Sequence, residues 1–217
     1  MLLNSITPSS CNKKRYCKCC FNEIKINNLH TLLFRDICIC DKCLDELAPK
    51  IIKKKINDVK GIFMYFYNEA IKEKIYLLKG CGDIEMSEIF LNYFLRELRL
   101  KYRGYIIAPA PSSISSDNNR GFNHVKMIAQ KLNLPIVDVL KKTEDFKQAN
   151  LSKIEREKTN KKIIIKNTNL IRNKKVLFID DIYTTGTTLK TCINLINSAK
   201  PRKLNFIVIA LVLKKNK

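Results

Sequence analysis

Residues Val176 to Thr188 read VLFIDDIYTTGTT. A short apolar run ends in two adjacent aspartates, and after Ile182 and Tyr183 four threonines surround one glycine. A strand that is apolar on both faces belongs in the middle of a parallel sheet covered by helices. The segment that follows, TTLKTCINLINSAK (187–200), has helical spacing. The stretch is therefore a strand–loop–helix unit, and it restricts the chain to folds in which strands and helices alternate.

The rest of the chain agrees with that restriction. GIFMYFYN (61–68) reads as a strand and EAIKEKIYLLK (69–79) as a helix. Residues 83–104 predict one amphipathic helix, started by Ile84 or Ser87 and stopped by Gly104. YIIAPAP (105–111) is a strand, 121–133 a helix, LPIVDVLKK a strand, 174–180 a central strand and 204–213 a final buried strand. The fold class is α/β, a mostly parallel sheet with flanking helices. The polar stretch 143–162 is long for a loop in a compact domain and predicts a lid. Ligands on such sheets bind at the carboxyl ends of the strands, where Asp180 and Asp181 lie.

Nine cysteines are present, and seven fall between Cys11 and Cys43. Two C-x-x-C pairs stand out, Cys17/Cys20 and Cys40/Cys43, separated by nineteen residues. A two-residue gap lets both thiolates of a knuckle face one tetrahedral ion, so the spacing predicts a structural zinc site. Cys11, Cys19, Cys38 and His30 are spare ligands that could replace a member of the set. Cys81 and Cys192 lie apart, as inert packing residues. The expected organisation is a zinc module over 11–47, a helix or linker over 48–60 and a larger domain over 61–217.

The formal net charge is +21, from 41 Lys and Arg against 20 Asp and Glu. A field of that sign attracts polyanions, single-stranded DNA among them, although the excess is scattered and the chain is rich in Lys, Asn and Ile throughout. The longest apolar run, Phe206 to Leu213, is too short to span a bilayer, and the first residues lack the layout of a signal peptide. A cytoplasmic protein with no membrane insertion is the expectation.

The loop after Asp181 is suited to a phosphate. Its backbone N–H groups and the helix N-terminus favour an anion, the hydroxyls of Thr184, Thr185, Thr187 and Thr188 add neutral donors, and Gly186 permits close approach. The aspartates would repel that phosphate. They suit a vicinal diol, or Mg²⁺ held through water. A ligand with a diol at one end of a short ring and a phosphate at the other is a ribose 5-phosphate.

On these residues, VLFIDDIYTTGTT resembles the PRPP-binding signature of type I phosphoribosyltransferases. An N-terminal C-x-x-C module followed by such a domain resembles the ComF family of competence-associated proteins. Lys79, Gly82 and Asp83 match a K-x-x-G-D segment of that family, and Pro109, Pro111, Arg120, Gly121, Phe122 and Asn123 match another, with His124 where Gln is usual. Thr143, Gln148, Leu151, Arg156 and Asn160 match a third. The resemblance implies that Asp180 and Asp181 hold the ribose hydroxyls, that Thr184 to Thr188 cradle the 5′-phosphate, and that Mg²⁺ accompanies PRPP. Asp180, Asp181 and Arg120 are the catalytic candidates under this reading. Positioning and electrostatics would do the work, and no general base stands out; His124 is read as packing or capping its helix.

The chain departs from the family between Pro111 and Arg120, where SSISSDNN replaces the usual cations. Pyrophosphate would then rely on Ser112, Ser113, Arg120 and the lid residues Lys147 and Arg156. Two functions follow. One is a phosphoribosyltransferase whose acceptor the sequence does not reveal. The other is a catalytically weak or inactive protein with the same fold that binds single-stranded DNA or a partner, such as a helicase-like competence protein, during DNA uptake.

Overall fold

The computed structural model describes residues 14–25, 37–112, 121–143 and 162–213. Its centre is a five-stranded sheet in the order β1-β2-β7-β6-β3, comprising β1 (Ile52–Ile56), β2 (Val59–Phe66), β3 (Ile106–Pro109), β6 (Lys175–Tyr183) and β7 (Lys203–Leu211). β2, β7, β6 and β3 run parallel, and β1 adds an antiparallel edge. β7 lies between β2 and β6, and Phe206 through Ala210 are all fully buried, as a strand covered on both faces requires. The expected mostly parallel sheet with flanking helices is thus present.

Residues 48–60 correct the expectation of a helix or linker. They contain β1 and a tight turn at Asn57 and Asp58, both with positive φ (46° and 64°). Two left-handed central residues match the right-handed strand twist of a hairpin, and Asn and Asp tolerate them. The segment therefore belongs to the sheet.

Helices flank the sheet. They are α1 (Asp41–Leu47), α2 (Glu69–Gly80), α3 (Ile89–Asn92), α4 (Leu95–Lys101), α5 (His124–Gln130) and α6 (Thr187–Ser198). The Asn68 side chain caps α2 by accepting from Ile71 N at 2.8 Å. Residues 83–104 do not form the single helix expected. A 3-10 turn (Ile84–Glu88), capped by Asp83, leads into α3, and Phe94 leaves helical geometry before α4. Met86, Ser87, Ile89, Phe90 and Leu91 are all buried, a wider arc than one face of a straight helix offers. A separate hairpin pairs β4 (Leu140–Thr143) with β5 (Lys162–Ile165). The predicted lid between them lies outside the described residues. Among the described residues no helix is long and apolar enough to cross a membrane.

Candidate functional site

Asp180 and Asp181 end the buried part of β6, with 7% and 9% of their surface exposed. Asp180 Oδ1 accepts from Asp181 N (2.9 Å), and Asp181 Oδ1 accepts from Ile182 N (2.7 Å). Two side chains from elsewhere converge on Asp181 Oδ2: the Lys79 ammonium, from the end of α2, and His124 Nε2, from the start of α5, at 2.9 Å. Burial and the neighbouring Asp181 charge push the Asp180 carboxyl up to about 8. Burial also works against Asp181, but the His124 hydrogen bond and the Lys79 charge outweigh it and hold this carboxyl well below its usual range. The site therefore places one ionised acid beside one that is protonated near neutrality.

Lys79 and His124 were not expected to meet Asp181. The sequence marks Lys79 only within a family segment and reads His124 as packing or capping its helix. Asn123 is the actual cap of α5, its Oδ1 accepting from Lys126 N at 2.9 Å, which leaves the buried His124 imidazole to face the acid. Residues 79, 124 and 181 sit on three elements, so no local pattern could have joined them.

Beyond Tyr183 the chain turns into α6 through Gly186, whose φ of 81° lies in the left-handed region. A Cβ at Gly186 would also fall 2.5 Å from the Tyr183 hydroxyl, so both conformation and space require glycine. The N-cap of α6 is Gly186, which has no side chain to cap it, and among the described residues the only side-chain oxygen on its first N–H groups is Thr185 Oγ1, a long 3.5 Å from Thr187 N. Thr185 Oγ1 and Thr187 Oγ1 are 3.0 Å apart, and all four threonines are exposed. The result is an open loop of hydroxyls at a positive helix end, beside the two acids.

The neighbouring parallel strand β3 ends at Pro109, and Ser112 follows, its Oγ accepting from Asn123 Nδ2 at 2.9 Å. A cavity of about 400 Å³ adjoins it, lined among others by Pro111, Ser112, Phe122, Asn123 and Asp138. The other expected pyrophosphate residues, Ser113, Arg120, Lys147 and Arg156, lie outside the described residues.

The cysteines form a second centre. The Sγ atoms of Cys17, Cys20, Cys40 and Cys43 all lie within 4.8 Å of one another. Cys20 Sγ and Cys40 Sγ are 3.7 Å apart, close to the separation of about 3.8 Å that two thiolates have on a tetrahedral zinc. Cys17 Sγ accepts from Cys40 N (3.3 Å) and Cys19 N (3.4 Å). Burial raises the Cys17 thiol, but these and other backbone donors prevail and draw it down to about 7. Burial pushes Cys43 up, so its thiolate needs the ion itself. The donors fit a structural metal such as zinc. Cys19 and Cys38 stand outside the cluster, pushed up to about 12 chiefly by burial; Cys11 and His30 lie outside the described residues. Cys192 packs in the core as expected, whereas Cys81 is exposed. The module docks on the larger unit through Lys18, which pairs with Glu88 at 2.6 Å and also with Glu85.

Residues 118–217 match the phosphoribosyl transferase domain. A competence protein, ComFC, of Streptococcus pneumoniae is 29% identical over 185 residues, covering 76% of this chain and 83% of that protein. Its counterpart in Bacillus subtilis is 31% identical over 128 residues, and the match spans 58% of this chain and about half, 53%, of that protein. A hypoxanthine phosphoribosyltransferase structure from Staphylococcus aureus superposes with a TM-score of 0.39 at 18% identity, covering 60% of this chain and 77% of that one. The competence-protein relatives, the phosphoribosyl transferase domain and the four-cysteine cluster together fit a protein of the ComF family.

Proposed function

We propose that the chain is a PRPP-binding protein of phosphoribosyltransferase type that acts in the cytoplasm during DNA uptake, with a zinc module over 11–47 and a ligand-binding domain that takes in β1 and so runs over 52–217. The observation that carries this reading is the junction of β6 and α6. Two buried acids stand where the strand ends, and a helix N-terminus with glycine at its cap position follows within a few residues. Asp180 and Asp181 hold the ribose hydroxyls. Asp180, protonated near neutrality, can donate as well as accept, and Asp181 is oriented by Lys79 and His124. The Thr184–Thr188 loop takes the 5′-phosphate with its hydroxyls and backbone amides.

In the transfer reaction a nitrogen nucleophile attacks the anomeric carbon, the bond from that carbon to the pyrophosphate oxygen breaks, and pyrophosphate leaves with the bonding pair. The protein's part is to position the ribose and to neutralise the leaving charge. Arg120 is the catalytic cation, Ser112 and Ser113 offer hydroxyls to pyrophosphate, and Lys147 and Arg156 close over it. The ionised Asp181, and Asp180 once it gives up its proton, suit Mg²⁺ held through water, which when bound would supply further neutralisation. Titration calorimetry with PRPP, with and without Mg²⁺, tests the reading. Mg²⁺-dependent binding that disappears in Asp180→Asn/Asp181→Asn supports it, and no heat from well-folded, zinc-loaded protein rejects it. Release of pyrophosphate in the presence of candidate bases then separates an enzyme from a binding protein.

A second reading, a factor that binds single-stranded DNA or a helicase-like partner without catalysis, is favoured by two observations. Residues 112–119 carry no cation, and lysines concentrate at the opposite end of the sheet.

A further inference from the structure

The amino ends of the parallel strands carry a cavity of about 650 Å³, lined by Lys53, Lys54 and Lys55 of β1, Lys60 of β2, Lys101 of α4 and Lys203 of β7. Asp58 is the one carboxylate in its lining, and it pairs with Lys55 at 2.7 Å. The other five lysines have no carboxylate partner among the described residues. Asp180, Asp181 and the threonine loop occupy the carboxyl ends of the same strands, so this cavity is at the opposite pole.

The sheet register places like charges side by side here. Lys55 is the direct cross-strand neighbour of Lys60, and Lys175 of Lys203. Partial burial first, and the Lys53 charge second, hold the Lys101 ammonium below the usual lysine range. Like charges directly opposite in a sheet are destabilising, so the free protein carries a repulsion that a bound anion would relieve. Lysines on an edge strand also discourage strand addition, which accounts for β1. That explanation does not reach Lys60, Lys101, Lys175 or Lys203, which lie on interior strands or on a helix.

The floor is polar and built. The Tyr105 hydroxyl donates to Asn205 Oδ1 (3.0 Å), and Asn205 Nδ2 donates to the Lys60 carbonyl (2.8 Å). The lining lysines of the sheet extend from β1 across β2 to β7, two strand spacings or about 10 Å. A single phosphate cannot touch all of them, whereas a chain of phosphates can.

We propose that this lysine-lined cavity binds the phosphate backbone of single-stranded nucleic acid. The site gives the second reading above a location and rests on it; it is independent of PRPP binding.

The test is fluorescence anisotropy of a labelled oligothymidylate against the full-length, zinc-loaded protein over a salt series. Lys53→Gln/Lys60→Gln/Lys203→Gln is compared with Lys42→Gln/Lys72→Gln/Lys166→Gln, which removes the same charge from exposed positions elsewhere. The cavity variant should bind at least tenfold more weakly than the control variant. Its log–log salt slope should be shallower by about 2, since each lost single-strand phosphate contact removes about 0.7. The cavity variant should also melt no lower than wild type, because repulsion is relieved. Equal loss in both variants overturns the location while leaving nucleic-acid binding intact. No binding by wild type overturns the nucleic-acid reading itself. Displacement of the strand by inorganic triphosphate at equal phosphate concentration overturns the choice of a polymer ligand.

Discussion

His124 Nε2 lies 2.9 Å from Asp181 Oδ2, and the Lys79 ammonium bonds the same oxygen. A buried carboxylate held by two partners is costly to leave half paired. Lys79→Met should therefore destabilise the protein at pH 7 by about 1–3 kcal/mol, less than the ~3–5 kcal/mol of a fully buried pair because the ammonium is partly in water. The folded-state pKa of Asp181 is depressed, so its stabilisation is present above the ordinary carboxylate pKa and is lost as pH falls through the folded value. The gap between wild type and variant should close as thermal unfolding is followed from pH 7 down to strongly acid solution.

Asp180 gives the opposite sign. Its folded pKa is raised from 3.8 to about 8, chiefly by burial. The stability it contributes is fully present below pH 3.8 and is lost as pH rises through about 8. Asp180→Asn mimics the protonated form, so the variant should match wild type near pH 4 and exceed it at pH 8 to 9 in urea unfolding. A variant equally stable or weaker across that whole range would show that Asp180 ionises without cost.

The four-cysteine cluster makes a prediction that separates ligands from spare thiols. Protein purified without chelator should contain one zinc per chain. Cys17→Ser and Cys43→Ser should abolish that content and lower the melting temperature, because metal binding supplies folding energy to so small a module. Cys19→Ser and Cys38→Ser should retain the metal, since neither sulfur belongs to the cluster. Metal analysis beside thermal unfolding distinguishes the two groups.

The parts of this architecture that were legible in the sequence are those encoded locally. The apolar run 176–179, the helical spacing after Gly186 and the two C-x-x-C gaps each announce their role within a dozen residues. The hairpin at 52–66 was missed because three consecutive lysines mask the alternation of β1, and the turn uses Asn57-Asp58 where Asn-Gly would have been plain. The break at Phe94 was hidden because an unbroken amphipathic pattern does not record how wide an arc must be buried. The meeting of Lys79, His124 and Asp181 depends on how α2 and α5 pack against β6, which no stretch of sequence carries.

Packing at the sheet centre offers the sharpest stability test. Gly61 of β2 lies directly beside Phe206 of β7, and a Cβ on Gly61 would fall 2.3 Å from the phenyl ring. That ring in turn meets Phe63 edge-on, with centroids 5.7 Å apart, so it has little freedom to retreat. Gly61→Ala should cost about 1–3 kcal/mol through overpacking, although alanine is otherwise the better strand residue. Phe206→Ala should cost about 3–5 kcal/mol through the cavity it leaves. Because the added methyl enters the space that the ring vacates, the double variant should lose less than the sum of the two, by at least about 0.5 kcal/mol. Urea unfolding of the four proteins closes the cycle, and strict additivity would mean that Gly61 and the Phe206 ring do not share that space.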